Sequence, residues 1–133
     1  VVFFGGGQSA CEAAYELILQ GKHPIIVEYA RDLVPAQNVC LANASFLRDM
    51  LEYKQVPIYL ESTITEVNDG SVVVKTKDGD LITVECDDVI NAIGFVPTPL
   101  GEKSSKVHRV GDCVAIGNLR TVIWRAWDVC MKI

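Results

Sequence analysis

Long apolar runs, a basic face and paired cysteines are all missing from this 133-residue sequence, and each absence removes a class of function. Apolar stretches such as Val1 to Phe4 and Pro24 to Val27 fall far short of the ~20 residues that a spanning helix needs, so no membrane segment is expected. With 12 Lys and Arg against 17 Asp and Glu, the formal net charge is −5. No basic stripe is left to follow a phosphate backbone, which argues against nucleic acid as a partner. There is no block of like charge, no internal repeat and no low-complexity tract. The five cysteines, Cys11, Cys40, Cys86, Cys113 and Cys130, are scattered and form neither a CxxC pair nor a zinc-ligand spacing. They read as small buried hydrophobes in a reducing cytoplasm, with no catalytic thiol and no metal expected.

What is present is enough apolar material, 50% of residues, to bury one substantial core. The sequence opens directly on an apolar run, without a start methionine or signal peptide, and closes at Ile133 in what reads as an amphipathic helix. A fragment of a longer protein is expected.

Val1 to Phe4 is apolar, β-prone and too short for a helix, and it runs straight into three glycines, as a buried parallel strand does. Helix formers then dominate from Ala10 to Leu19, with Ala13 and Leu17, and Ala14 and Ile18, at four-residue spacing before Gly21. Pro24 to Val27 is the next strand, completing one βαβ unit. Asn43 or Ser45 is the expected cap of a second helix reaching about Lys54, with Phe46, Leu47, Met50 and Leu51 on one face. A short strand follows over Ile58 to Leu60. From Ile64 to Cys86 the period drops to two and is broken by Asn68-Asp69-Gly70 and Asp78-Gly79, which predicts a three-stranded antiparallel meander. A continuous apolar run from Val89 to Ile93 returns and ends at Gly94. Beyond a polar, proline-containing stretch, Val107 to Val110 is expected as a strand, Gly111-Asp112 as a turn and Arg120 onward as a helix. Trp124 and Trp127, three apart on that helix, read as core or interface.

The chemistry is concentrated at the glycines. A dinucleotide's pyrophosphate is doubly negative, and a helix N-terminus offers free backbone N–H groups with a partial positive charge. In Gly5-Gly6-Gly7-Gln8-Ser9-Ala10, a GxGxxA pattern, Gly5 permits the tight turn, Gly7 lets pyrophosphate approach, and small Ala10 lets helix and strand pack. A glycine triplet alone is a weak signal, since tight βα turns need glycine for backbone reasons. Here it follows a strand, opens a helix and is answered by Glu28 at the end of the next strand, where a carboxylate can accept both ribose hydroxyls. That carboxylate would repel a 2′-phosphate, so NADH is expected over NADPH; Arg31 nearby is the counter-argument. Glu12 is expected in the helix's first turn, either as helix stabilisation or pointing towards the nicotinamide.

On three stretches the chain resembles the pyridine nucleotide-disulfide oxidoreductase fold class, and within it the NADH:flavin oxidoreductases of the 2-enoate reductase and 2,4-dienoyl-CoA reductase type. These are Val1 to Glu12, Asp88 to Pro97 with its Ala92-Ile93-Gly94, and Val110-Gly111-Asp112-Cys113 followed by Gly117 to Trp124. The resemblance implies an α/β fold: a Rossmann-like NAD(H)-binding domain over residues 1–96, with a parallel sheet, helices and the antiparallel meander. A linker over 97–106 and a fragment of an FAD domain over 107–133 would follow. It implies that Ala92, Ile93 and Gly94 lie beside the nucleotide, that Gly111 and Asp112 meet the ribityl chain of FAD, and that the helix near Thr121 and Val122 points its N-terminus at the flavin.

The upstream glycine motif of the family's FAD domain, and the barrel carrying FMN and an iron–sulfur cluster, are not in this sequence, and Asp112 would face half a site. The resemblance therefore implies a parent enzyme that passes hydride from NADH to FAD and reduces an activated C=C bond. This segment would contribute no catalytic residue, would bind NADH weakly and would turn nothing over. The remaining FAD and barrel domains would be its partners, and their absence predicts self-association through the last helix. Three alternatives share these features. One is a ferredoxin or nitrite reductase component, another a non-catalytic nucleotide-sensing module. The third, a methyl donor-binding domain, is disfavoured by the meander and the Gly-Asp motif.

Overall fold

The computed structural model describes residues 1–35 and 39–133, which fall into two compact units, Val1–Gly94 and Phe95–Ile133. The first unit is a three-layer α/β domain. Its central sheet contains β1 (Val2–Phe4), β2 (Ile25–Val27), β3 (Ile58–Tyr59) and β7 (Val89–Asn91), all parallel, in the order β3-β2-β1-β7. The helices α1 (Gln8–Leu19) and α2 (Leu41–Tyr53) provide the crossovers from β1 to β2 and from β2 to β3. The meander β4 (Thr63–Asn68), β5 (Ser71–Lys75) and β6 (Leu81–Glu85) forms a separate antiparallel sheet.

Strand alternation divides the core between the layers. Phe3 and Ile26 point to the helical side, where they pack with Ala10, Cys11 and Ala14 of α1 and Ala44, Leu47 and Leu51 of α2. Val2 and Val27 point to the other side, against Val72, Val74 and Val84 of the meander. Both faces of β1 and β2 are thus covered, which is why they read as unbroken apolar runs, whereas the edge strand β7 leaves Ile90 and Asn91 exposed and β5 alternates in burial. Helix α1 stops in a Schellman motif: Gly21 takes φ +74°, its N–H reaches Ile18 O at 2.9 Å and that of Lys22 reaches Leu17 O at 2.9 Å. The β4–β5 turn closes on Gly70 at φ +77°.

Helix α2 begins earlier than its polar residues suggest. Cys40, not Asn43 or Ser45, is the N-cap, no side chain caps the end, and Ala44 joins Leu47 and Leu51 as a buried face. The added residues Leu41, Ala42 and Asn43 are exposed, and Ala44 is the first residue that the helix buries.

The second unit carries a short 3₁₀ turn at Gly111–Cys113 and α3 (Leu119–Cys130). The strand expected at Val107 to Val110 is not formed. Ser104 and Val107 instead exchange backbone hydrogen bonds at 3.2 and 3.3 Å, and without a neighbouring strand this four-residue stretch has no ladder to join. Helix α3 starts at Leu119 because Asn118 and Thr121 form a reciprocal capping box, and it ends at Cys130 rather than running through Ile133.

Candidate nucleotide cleft

The three glycines have three different jobs. Gly5 has φ +111°, and a Cβ there would lie 2.5 Å from Ala92 O at the end of β7, so the turn can leave β1 only without a side chain. A Cβ on Gly6 would lie 2.5 Å from Leu33 Cδ2 and 3.1 Å from the Glu28 carboxylate. Gly7 is the reverse case: extended at φ −69° and ψ 177°, it is the N-cap of α1, and a Cβ there would meet nothing within 4 Å. No side chain caps α1. Its first N–H groups are the donors that an intrahelical ladder cannot use, and open space lies beside them. Ala10 is buried beneath the turn, at 2% exposure.

Glu28 follows β2 and turns its carboxylate back on the glycines. Oε2 accepts the Gly6 N–H, and Oε1 accepts the Ala30 N–H at 2.6 Å. A cleft of about 420 Å³ opens here, lined by Phe4, Gly5 and Gly7, by Glu28, Tyr29 and Pro35, and by Ala92, Ile93 and Gly94. These residues sit at the carboxyl ends of β1, β2 and β7. The sheet order reverses between β1 and β7, because the chain steps outward from β1 to β3 and then returns to the other side of β1. Crevices at such switch points are where open α/β sheets take ligands.

Of the residues singled out from sequence, this cleft gathers Gly5, Gly7, Glu28, Ala92, Ile93 and Gly94, with Gly6 joined to it through Glu28. Ser9 is exposed in the first turn of α1, and Gln8 Nε2 donates to Glu12 Oε1 at 2.7 Å. Glu12 stands in the second turn, not the first, and lines a different groove, between α1 and α2, with Tyr15, Glu16, Asn43, Phe46 and Leu47. Arg31 is turned to Glu61, its Nε 3.1 Å from Oε1, with both side chains well exposed.

Of the five cysteines expected to be buried only Cys11 is, while Cys86 and Cys113 are half-buried and Cys40 and Cys130 exposed; the Cys11 Sγ donates to Gly6 O at 3.3 Å. Burial, with the charge of Glu28 adding to it, pushes its thiol up to about 12, although the Arg48 guanidinium pulls the other way. At neutral pH it is a packed thiol rather than a nucleophile.

In the second unit, Asp112 Oδ1 accepts the Gly117 N–H at 3.2 Å, and Asp112 lines a cavity of about 320 Å³ with Phe95, Val96, Thr98, Cys113 and Ile116. Gly111, at φ +70°, packs against Val122 of α3, while Thr121 is engaged in the helix cap. Ile123, Trp124 and Trp127 are all more than half exposed. Among the described residues no cluster of His, Cys, Asp or Glu could hold a metal, and no helix is long and apolar enough to cross a membrane.

Sequence reading missed Tyr29 and Pro35, which wall the cleft, and Arg48, the side chain that holds the loop between them. Nothing in the spacing of a loop residue and a helical arginine announces that they meet.

The sequence model of the pyridine nucleotide-disulphide oxidoreductases matches residues 1–127. No curated protein matches the chain. Among solved structures, a 2-naphthoyl-CoA reductase in complex with 2-naphthoyl-CoA is 26% identical with a TM-score of 0.81, over 99% of this chain and 21% of its own. A ferredoxin reductase from Rhodopseudomonas palustris is 25% identical with a TM-score of 0.59, over 72% of this chain and 24% of its own. The 6-hydroxypseudooxynicotine amine oxidase of Pseudomonas geniculata N1, at 17% identity, shares the fold with a TM-score of 0.72 over 96% of this chain. The chain thus spans about a fifth of the length of the 2-naphthoyl-CoA reductase.

Proposed function

The chain belongs to the pyridine nucleotide-disulphide oxidoreductase family, and on that premise we propose that it is the NADH-binding part of a flavin-dependent oxidoreductase. In the parent enzyme hydride passes from NADH to FAD, and an activated C=C bond, of the enoate or enoyl-CoA type, is reduced. One observation carries the reading. The ends of β1, β2 and β7 converge on one cleft at the sheet's switch point, where an uncapped helix N-terminus and a carboxylate held by the glycine turn lie close together.

The fit to a dinucleotide lies in the space at Gly7. A pyrophosphate there would meet the first N–H groups of α1, and the missing side chain is what leaves it room. Glu28 is held in place by two backbone N–H groups, and a carboxylate has about four acceptor positions, so capacity remains for two ribose hydroxyls. Its negative charge, together with the pairing of Arg31 to Glu61, favours NADH over NADPH. When bound, the nucleotide supplies the hydride. The part played by the chain is to bind and orient it, with no acid or base needed for the transfer itself. Asp112, Gly111 and the capped start of α3 with Thr121 and Val122 would meet FAD, whose other half belongs to further domains of the parent. FMN and an iron–sulfur cluster would lie outside this chain. All five cysteines are free thiols, which suits a reducing cytoplasm.

The 2-naphthoyl-CoA reductase matches nearly the whole chain and the ferredoxin reductase only 72% of it, which favours the CoA-ester type over a ferredoxin reductase component. The test is a titration with NADH and NADPH, followed by nicotinamide fluorescence or heat, on the chain and on Glu28→Ala. NADH is expected to bind more tightly than NADPH, and the substitution to weaken it about tenfold or more, the scale of a lost hydrogen bond to a charged group. A folded chain that binds neither nucleotide, or binding that ignores Glu28→Ala, would refute the proposal.

A further inference from the structure

The segment after β2 is held from an unexpected side. Arg48, on α2 and outside the cleft, donates from Nε to Leu33 O at 2.8 Å and from Nη2 to Val34 O at 3.3 Å, and its Nη2 lies 3.1 Å from Asp32 Oδ2. One guanidinium therefore fixes three successive residues, a use for which its rigid fork of donors is suited. The segment needs fixing. Val34 is β-branched yet sits at φ +47°, in the left-handed region, and it persists there with Leu33 buried beside it, at 2% and 4% exposure.

From this segment the contacts run to the glycine turn. Val34 N–H donates to Gly6 O at 2.7 Å, and Leu33 Cδ2 occupies the space that a Gly6 side chain would fill. Gly6 N–H in turn donates to Glu28, and Pro35, next to Val34, is part of the cleft wall. We infer that Arg48 is a positioning residue for the nucleotide site: it clamps Asp32–Val34 onto the glycine turn and thereby sets the places of Gly6, Glu28 and Pro35. The inference rests on the cleft being the NADH site proposed above.

Cys11 supplies a second reporter, in which loss of the Arg48 charge by itself would slow alkylation, so that a faster reaction reports exposure. It is buried among Leu33, Val34, Ala44 and Leu47, with its thiol on the same Gly6 carbonyl that Val34 holds. A loosened segment would uncover it. The experiment compares the chain with Arg48→Met, Arg48→Lys and Asp32→Asn, each checked for folding by circular dichroism. NADH affinity is measured by titration, and alkylation of Cys11 is followed by peptide mass mapping without nucleotide.

Arg48→Met is expected to weaken NADH about ten- to a hundredfold, as the loss of charge-assisted hydrogen bonds implies, and to speed Cys11 alkylation about tenfold. Arg48→Lys should recover part of both, and Asp32→Asn should lose about two- to fivefold in affinity. A purely structural arginine would lower stability while leaving the affinity of the folded protein unchanged, and that result overturns the inference. If Arg48→Met does not fold, Arg48→Lys and Asp32→Asn decide in the same way: weakened binding supports the clamp and unchanged binding refutes it. A parent chain that binds neither nucleotide overturns the proposed function and the inference with it. A parent that binds, beside variants that bind equally, overturns the inference alone.

Discussion

Alanine at Gly5 and at Gly7 adds the same methyl group two residues apart, and the structure assigns the two substitutions opposite consequences. At Gly5 the new Cβ would stand 2.5 Å from Ala92 O and 2.7 Å from Ala92 C, both backbone atoms at the end of β7. They cannot swing aside as a flexible side chain could. The φ of +111° adds strain for any residue with a side chain, about 1–3 kcal/mol, and displacing packed neighbours adds about 1–3 kcal/mol more. A total of roughly 2–6 kcal/mol is a large part of the ~5–15 kcal/mol that keeps a domain folded. With a urea slope of about 1–3 kcal/mol per molar, the midpoint should fall by about 2 M. Gly7→Ala has none of these costs. Its φ of −69° is ordinary, its surroundings are open, and the weaker N-cap and the stiffer unfolded chain offset one another to within about 1 kcal/mol. Its methyl group instead enters the space proposed above for pyrophosphate, and NADH should bind about tenfold or more weakly, a loss of at least ~1.4 kcal/mol. Urea denaturation and NADH titration on the two variants give four numbers. The reasoning fails if Gly7→Ala binds NADH like the parent, or if the two variants unfold at the same midpoint.

Three further outcomes can be checked. Glu61→Ala releases Arg31 from its exposed pair, which is worth no more than about 1 kcal/mol, so NADPH should gain up to about fivefold relative to NADH; an unchanged NADPH-to-NADH ratio would discard the role given to Glu61. Cys11 keeps its proton in the folded chain up to about 12, against an ordinary value of 9.0. Its stabilisation is therefore whole below pH 9 and is lost as pH rises through this window, with a ceiling of about 1.4 kcal/mol per pH unit. Cys11→Ala should flatten that part of the pH–stability curve, and equal slopes in both proteins would contradict it. Finally, the exposed Ile123, Trp124 and Trp127 should drive self-association at micromolar concentration, weakened in a Trp124→Gln, Trp127→Gln variant; sedimentation of a sharp monomer throughout that range would rule it out.

The elements legible in the sequence are those whose local signal and tertiary role coincide. Val2 to Phe4 had to be buried on both faces and reads so; Gly70 and Gly79 carry the positive φ that the meander's turns require. Glu28 stands after β2 where the spacing places it, and the structure adds a partner that the spacing does not announce, the Gly6 N–H. The misreadings occur where the structure departs from a local preference. Helix α2 begins at Leu41 with an exposed first turn, although Asn43 and Ser45 are the better capping residues. Val107 to Val110 has strand composition and no neighbour to pair with. Val34 at φ +47° and its tie to Arg48 leave no trace in sequence, since valine is the wrong residue for that backbone and only the tertiary contacts keep it there.

The same contacts bear on how the cleft binds. Gly6 is fixed from three directions: its N–H by Glu28, its carbonyl by Val34 and the Cys11 thiol, and the space over its Cα by Leu33. Gly7, one residue on, has no contact of this kind beside its Cα. The turn is therefore rigid where the protein needs it and open where a ligand would enter, so binding would order little of the backbone. Affinity then depends on how many groups surround the nucleotide rather than on folding around it. The walls in this unit come from three strand ends and one loop, which leaves one side of the cleft open. Weak binding by the chain alone, tightening when the remaining domains of the parent cover the open side, is the behaviour such a half-enclosed and preformed site should have.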